Sequence, residues 1–122
     1  MEIIIDDAKT LGQISKEFTG LFPYLKLEFF DTPHQENEGS PKAEMLSHEL
    51  TIKQVRRKYS EGHLSISKFE KIADLEREFQ DNYGLSVQVF RKAGSNWIET
   101  IFTDFWTLDE QNRRGEQLRV PA

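Results

Sequence analysis

The stretch Lys71-Ile72-Ala73-Asp74-Leu75-Glu76-Arg77-Glu78-Phe79-Gln80-Asp81-Asn82-Tyr83-Gly84-Leu85-Ser86-Val87-Gln88-Val89 changes its hydrophobic period at Gly84. Before the glycine, Ile72, Leu75, Phe79 and Tyr83 recur every three or four residues, which places them on one helical face. After it, Leu85, Val87 and Val89 alternate with Ser86 and Gln88, as in a strand with one buried side. Gly84 stands where a helix ends in a left-handed residue. The unit therefore reads as helix, stop, strand.

The same device occurs earlier in the chain. Thr10-Leu11-Gly12-Gln13-Ile14-Ser15-Lys16-Glu17-Phe18-Thr19-Gly20-Leu21-Phe22 puts Leu11, Ile14, Phe18 and Leu21 on one face, with Thr10 as N-cap. Pro23 ends this helix, and Leu25-Lys26-Leu27-Glu28-Phe29 alternates with Leu25, Leu27 and Phe29 inward. The helices align at one constant offset, pairing Leu11 with Ile72, Ile14 with Leu75, and Phe18 with Phe79. The strands align at an offset shorter by one position, pairing Leu25 with Leu85, Leu27 with Val87, and Phe29 with Val89.

The correspondence extends outward. Glu2-Ile3-Ile4-Ile5 and His63-Leu64-Ser65-Ile66-Ser67 are strand candidates ahead of the two helices. Ala43 to Ser47 and Trp97 to Phe102 read as further extended stretches. Each leads to another helix, beginning at Thr51 and running to Tyr59, or beginning at Thr107 and running to Arg114. Leu50 would staple onto Val55, and Gly62 and Gly115 stand where helix stops belong.

These elements predict an α+β fold: a duplicated βαββα unit forming one pseudo-symmetric domain, with a mixed sheet packed by helices. The single domain spans 1–122, with repeats at 2–60 and 62–115 and a flexible tail at 116–122. Ser60-Glu61-Gly62 is too short for a free linker, so the copies share a core. Pro33 to Pro41 reads as a mobile loop, and Lys92 to Asn96 as its short counterpart.

Composition narrows the function classes. The 122 residues are 37% hydrophobic and 30% charged, which excludes a disordered chain. No apolar run reaches the roughly 20 residues of a membrane span, and Met1 to Asp7 lacks the basic start of a signal peptide. The expected location is the cytoplasm. The absence of cysteine removes disulfides, thiolate chemistry and thiolate metal sites. The net charge of −5 is spread over both halves and disfavours a general nucleic-acid binder.

Catalytic patterns are missing. There is no glycine-rich phosphate loop, nucleophile elbow or His-Glu-x-x-His pattern, and His34, His48 and His63 fall in three different elements. His34, Glu36 and Glu38 could form an oxygen-and-nitrogen cluster, but they lie in the loop and read as a solvated stretch. Asp6-Asp7 and Asp109-Glu110 sit ahead of or within first helical turns, where acidic groups favour the helix dipole. No catalytic residue, cofactor or metal is expected.

Two binding candidates remain. Arg56, Arg57 and Lys58, with Arg113 and Arg114, fall near helix ends and would form an anion patch if the fold brought them together. Phe90, Trp97, Phe102, Phe105 and Trp106 cluster in one short stretch of the second half. Strand alternation cannot bury all five, because Trp97 and Phe102 would face opposite ways. Trp97, Phe105 and Trp106 are therefore the candidate partner-binding residues.

The second half resembles a pattern in small uncharacterised bacterial α+β domains with a duplicated helix-strand unit. Lys71-Ile72, Leu75, Phe79, Tyr83-Gly84-Leu85, Val87-Gln88-Val89 and Thr107-Leu108 carry it. The resemblance implies the fold and carries over no activity or site. The function expected is a noncatalytic protein-protein interaction or small regulatory module, binding another protein and able to form a homodimer. A nucleic-acid or anion-binding module using the basic helix ends is the alternative, and a small enzyme the second.

Overall fold

The computed structural model describes residues 1–31, 44–58 and 61–118. The loop from Pro33 to Pro41, with His34, Glu36 and Glu38, lies outside the described residues. In chain order the elements are β1 (Glu2–Ile5), α1 (Leu11–Leu21), β2 (Leu25–Phe30), α2 (Ile52–Val55), β3 (Gly62–Ser65), α3 (Ile72–Tyr83), β4 (Ser86–Ala93), β5 (Asn96–Glu99) and α4 (Leu108–Gln117). The fold is α+β, with two antiparallel sheets and four helices among the described residues.

One sheet pairs β1 with β3, and the other has the order β2-β4-β5. The mixed sheet expected from sequence is corrected here: all pairing is antiparallel. Parallel neighbours need a crossover that returns to the same sheet. Here α1 and α3 each carry the chain from the small sheet to the large one, so neither joins two strands of the same sheet as a βαβ unit would. Ile3 faces Leu64 in the small sheet, and Leu27 faces Val89 in the large one, with Glu28 opposite Gln88. The β4–β5 hairpin turns at Gly94, whose φ of 62° suits glycine.

The helical faces read from sequence are the buried ones. Leu11, Ile14 and Phe18 of α1, and Ile72, Leu75 and Phe79 of α3, are sealed from solvent and join Leu25, Leu27, Phe29, Val87 and Val89 in one core. Phe79 meets Phe29 edge-on, with ring centroids 6.2 Å apart. Thr10 and Thr51 cap α1 and α2 in capping boxes with Gln13 and Gln54, and Thr107 does the same for α4 with Glu110. Gly84 ends α3 at φ 61°, and a Cβ there would lie 2.6 Å from the Lys58 nitrogen.

Four readings are corrected by tertiary contacts. α2 stops at Val55 rather than continuing to Tyr59, because the Arg56 backbone is extended and the Arg57 N–H donates to the Gly84 carbonyl at 3.1 Å. Gly62 is consequently the first residue of β3 and not a helix stop. Gly115 lies inside α4, which continues through Gln117 and so takes in residues assigned to a tail; Gly115 is needed there because Tyr24 packs against it. Finally, β2 lacks the solvated face that alternation predicts. His48 covers Glu28, and Phe30 bridges to Met45, so Glu28 and Phe30 are buried as well.

Several backbone contacts occur in both halves. Thr10 bridges Thr51, and Lys71 bridges Thr107. Leu11 N–H donates to the Leu50 carbonyl at 2.8 Å, and Ile72 N–H to the Trp106 carbonyl at 3.0 Å. Gly12 donates to the His48 carbonyl at 3.0 Å, and Ala73 to the Asp104 carbonyl at 2.8 Å. Ile52 donates to the Lys9 carbonyl and Leu108 to the Glu70 carbonyl, both at 2.9 Å.

Candidate functional site

The exposed rings Phe69, Phe102 and Phe105, with Trp106, are carried by two neighbouring segments. One is the turn between β3 and α3, and the other runs from the end of β5 to the start of α4. Backbone hydrogen bonds clamp them together: Asp109 N–H donates to the Lys68 carbonyl at 2.9 Å, beside the Leu108–Glu70 and Ile72–Trp106 bonds. The second segment is braced internally. Thr103 N–H donates to the Thr100 carbonyl at 3.2 Å, and Trp106 N–H to the Thr103 carbonyl at 3.0 Å. The buried Gln111 amide donates to both the carbonyl and the hydroxyl of Thr103, at 2.9 and 2.6 Å. This explains why a polar residue occupies the helical position that Val55 holds in the first half.

These braced segments leave large apolar rings in solvent. Phe102 is 83% exposed, Phe69 70% and Phe105 59%. Burying one phenylalanine is worth about 1.5–3 kcal/mol, so three exposed rings forgo a sizeable stabilisation. Trp106, next to Phe105 in the chain, is half-buried. Phe105 thus stands at an accessible surface. Phe102 is not on a strand, because β5 ends at Glu99 and Phe102 falls in the turn that follows. Phe69 was missed by sequence reading. The signal for it was an aromatic in the polar turn Ser67-Lys68-Phe69-Glu70, where no core periodicity calls for one.

Trp97 is in a different place. It sits on β5 opposite Lys92, near the hairpin tip, while Phe105 and Trp106 follow the other end of that strand. Its half-buried ring is approached by the Lys92 ammonium at 4.9 Å and the Lys26 ammonium at 5.2 Å from the centroid. Lys26 is equally close to Phe90, at 5.2 Å. The three aromatic candidates therefore fall in two locations.

The basic candidates are not brought together. Arg57 donates to the Asp31 carbonyl just beyond the C-terminal end of β2, and Lys58 to the Asp81 carbonyl at 2.7 Å. Arg56 makes a two-pronged ion pair with Asp7, at 2.6 and 3.0 Å. That guanidinium holds the Asp7 carboxyl below its ordinary range, first by hydrogen bonding. Arg113 pairs with Asp109 at 3.1 Å along α4, and Arg114 lies close enough to Arg91, at the other end of the β2–β4 ladder, to depress it after burial has done so. Arg57 and Arg91 thus anchor toward opposite ends of that ladder, which spans roughly 17–20 Å by strand rise.

One acid–base pair joins a buried carboxylate of the large sheet to an exposed histidine. Glu28 is buried and meets His48 Nε2 at 2.8 and 3.2 Å, with the Lys26 ammonium at 4.0 Å. A carboxylate that orients an imidazole is a component of general-base sites. Among the described residues no hydroxyl is hydrogen-bonded to this ring, so none of them stands beside the pair as a nucleophile. No group of three or more acidic, histidine or cysteine side chains suited to a metal ion occurs among the described residues. No helix among them is long and apolar enough to cross a membrane. Comparison with protein-family models, curated proteins and solved structures found no match for this chain.

Proposed function

We propose that this chain is a noncatalytic protein-protein interaction module of the cytoplasm, docking its partner through Phe69, Phe102 and Phe105, with Trp106 beside them. The observation that carries the reading is the exposure of those three rings, 70%, 83% and 59%, on segments braced by backbone hydrogen bonds. Rigid exposed aromatics suit docking, because little ordering entropy is lost when a partner covers them. Trp97 belongs to a separate basic surface and leaves the primary patch on this reading. The anion-binding alternative is weakened by the separation of its two clusters. The enzyme alternative has the Glu28–His48 pair in its favour, without a neighbouring nucleophile among the described residues.

We further propose that the domain is a duplicated βαββα unit. The paired contacts above support this reading: Leu11 and Ile72, Gly12 and Ala73, and Lys9 and Glu70 are equivalent at one constant offset and make matching bonds. The central pairs Ile3–Leu64 and Glu28–Gln88 join residues that the helix and strand alignments relate. On this alignment Phe69 replaces Ala8 and Phe105 replaces Glu49, so the aromatics belong to one copy alone. Such asymmetry is what specialisation of one copy for binding would produce.

The test compares the parent with a triple Phe69→Ala, Phe102→Ala, Phe105→Ala variant in a pull-down from native lysate, read by mass spectrometry. The parent should retain a partner that the variant releases, each central anchor contributing about 2 kcal/mol, or roughly thirtyfold in affinity. Melting temperatures should match, because the rings are exposed. Retention should survive added salt, whereas phosphate binding would collapse. Solution mass of the two proteins reports whether the partner is a second copy. Identical retention by both proteins would overturn the reading.

A further inference from the structure

The segments that carry Phe69 and Phe105 are one kind of turn used twice. Glu70 N–H donates to the Ser67 carbonyl, and Trp106 N–H to the Thr103 carbonyl, both at 3.0 Å. Lys71 and Thr107 come next, bridge one another and stand at the N-cap positions of α3 and α4. The bonds between the two turns form exchanged pairs. Ile72 N–H donates to the Trp106 carbonyl and Leu108 N–H to the Glu70 carbonyl, at 3.0 and 2.9 Å. Ala73 N–H donates to the Asp104 carbonyl and Asp109 N–H to the Lys68 carbonyl, at 2.8 and 2.9 Å. One constant offset relates each donor and acceptor to its counterpart. Such an exchange marks a local two-fold, under which Phe69 and Phe105 are equivalent residues. Phe102 directly precedes the second turn, where the first is preceded by the buried Ile66.

The first half contains the same pair of turns. Lys9 N–H donates to the Asp6 carbonyl at 3.0 Å and Leu50 N–H to the Ser47 carbonyl at 3.2 Å. Leu11 and Ile52 donate in exchange to the Leu50 and Lys9 carbonyls, at 2.8 and 2.9 Å. Ala8 and Glu49 hold the places of the two phenylalanines, and both are exposed. The turn's backbone therefore exposes this position in all four cases, and only the second pair fills it with aromatic rings. The rim of that pair carries both signs of charge. Lys68, 5.3 Å from the Phe69 ring centroid, and Lys71 are exposed. On α4, Asp109 pairs with Arg113 at 3.1 Å, and Glu110 accepts from Thr107 N–H at 2.9 Å. On α3, Asp74 pairs with Arg77 at 3.3 Å.

We propose that the occupant of the Phe69, Phe102 and Phe105 patch is a second copy of this chain, docked through the same patch. In a two-fold dimer, residue i meets j and j meets i. Phe69 and Phe105 are already equivalent within one chain, so Phe69 against the partner's Phe105, and Phe105 against the partner's Phe69, are contacts of one geometry. The mixed rim suits this pairing. Lys68 and Lys71 of one copy can face the acidic first turn of α4 in the other, whereas a partner of one charge sign would meet like charge on part of the rim. The area suits it as well. At their exposures of 70%, 83% and 59%, the three rings leave on the order of 400 Å² in water. Two copies would cover on the order of 800 Å² through the rings alone, about half of a specific interface of roughly 1,600 Å². The second copy as occupant rests on the docking reading above.

The experiment is analytical ultracentrifugation of the full chain from about 1 µM to about 1 mM, a range that brackets modest interfaces. The parent's mass should rise to twice that of the chain. Phe69→Ala and Phe105→Ala should each weaken the dimer roughly a thousandfold, because a ring worth about thirtyfold is lost from both copies. Glu49→Ala, at the equivalent exposed position of the first half, should dimerise like the parent. Added salt should not loosen the dimer, since it screens the repulsion between two chains of net charge −5. If a phenylalanine variant fails to fold, amide exchange of the parent decides: residues 67–73 and 102–109 should gain protection as the protein is concentrated, and residues 6–12 and 47–53 should not. A parent that stays monomeric throughout would overturn the proposal, as would a dimer that survives loss of both Phe69 and Phe105. If the monomeric parent still retains another protein from lysate through the three rings, the second copy falls and the docking reading stands. If it retains none, both fall.

Discussion

Replacing glycine by alanine inside a helix is expected to stabilise it by up to about 1 kcal/mol, because the backbone has less freedom to lose. This protein sets that rule against packing at two helical glycines. At Gly20 of α1, an added Cβ would meet no atom within 4 Å. Gly20→Ala should therefore stabilise by about 0.5–1 kcal/mol, the lower end reflecting its place near the helix terminus. At Gly115 of α4, the same methyl would lie 2.6 Å from Tyr24 Cβ, 3.2 Å from the Tyr24 carbonyl oxygen and 3.4 Å from Arg91 Cγ. Tyr24 cannot easily withdraw. Its N–H donates to Asn112 Oδ1 at 2.9 Å, and its carbonyl accepts from Lys92 at 2.9 Å. α4 would have to move outward by about 1 Å, an overpacking cost of about 1–3 kcal/mol. After the propensity gain, Gly115→Ala should still destabilise by about 1–2 kcal/mol. Urea and thermal unfolding of the two variants beside the parent measure this, with about 3–5 °C expected per kcal/mol at this chain length. Equal stabilisation by both substitutions would show that α4 does not rest on Tyr24, and the description of the C-terminal helix would be wrong.

Two further perturbations test the core and the surface. Phe18→Ala and Phe79→Ala each empty a fully buried site and should each cost about 3–5 kcal/mol; a variant melting like the parent would refute that core assignment. Arg56→Ala removes the partner that keeps the Asp7 carboxyl below its ordinary 3.8, so stability present above that value is lost as pH falls. The variant should melt below the parent at neutral pH, and the two curves should converge as pH falls below the ordinary 3.8; a gap that stays constant throughout an acid titration would refute the assignment.

Sequence alone determined the elements whose signal is local. Period and punctuation placed α1, α3 and the strands after them, because helical faces and strand alternation are written in residues a few positions apart. The Thr10, Thr51 and Thr107 caps were legible for the same reason. Sequence named Trp97, Phe105 and Trp106 together as candidate anchors, and of these three Phe105 is the exposed one.

The tertiary structure decided whatever depends on which distant surfaces meet. α2 is cut short because the Arg57 amide finds Gly84, beyond the whole of β3 and α3. Gly115 reads as a helix stop, yet it is a contact point for Tyr24, near the start of β2 in the other half of the chain. Arg57 and Arg113 stand at equivalent places after Thr51 and Thr107, yet one donates to the Asp31 carbonyl and the other pairs with Asp109. Glu70 and Glu78 have the same sequence spacing as the salt-bridged Lys9 and Glu17. Spacing is the same in both, but burial and the neighbouring Glu78 and Asp74 charges, which exist only once the chain has folded, push the Glu70 carboxyl up to about 7.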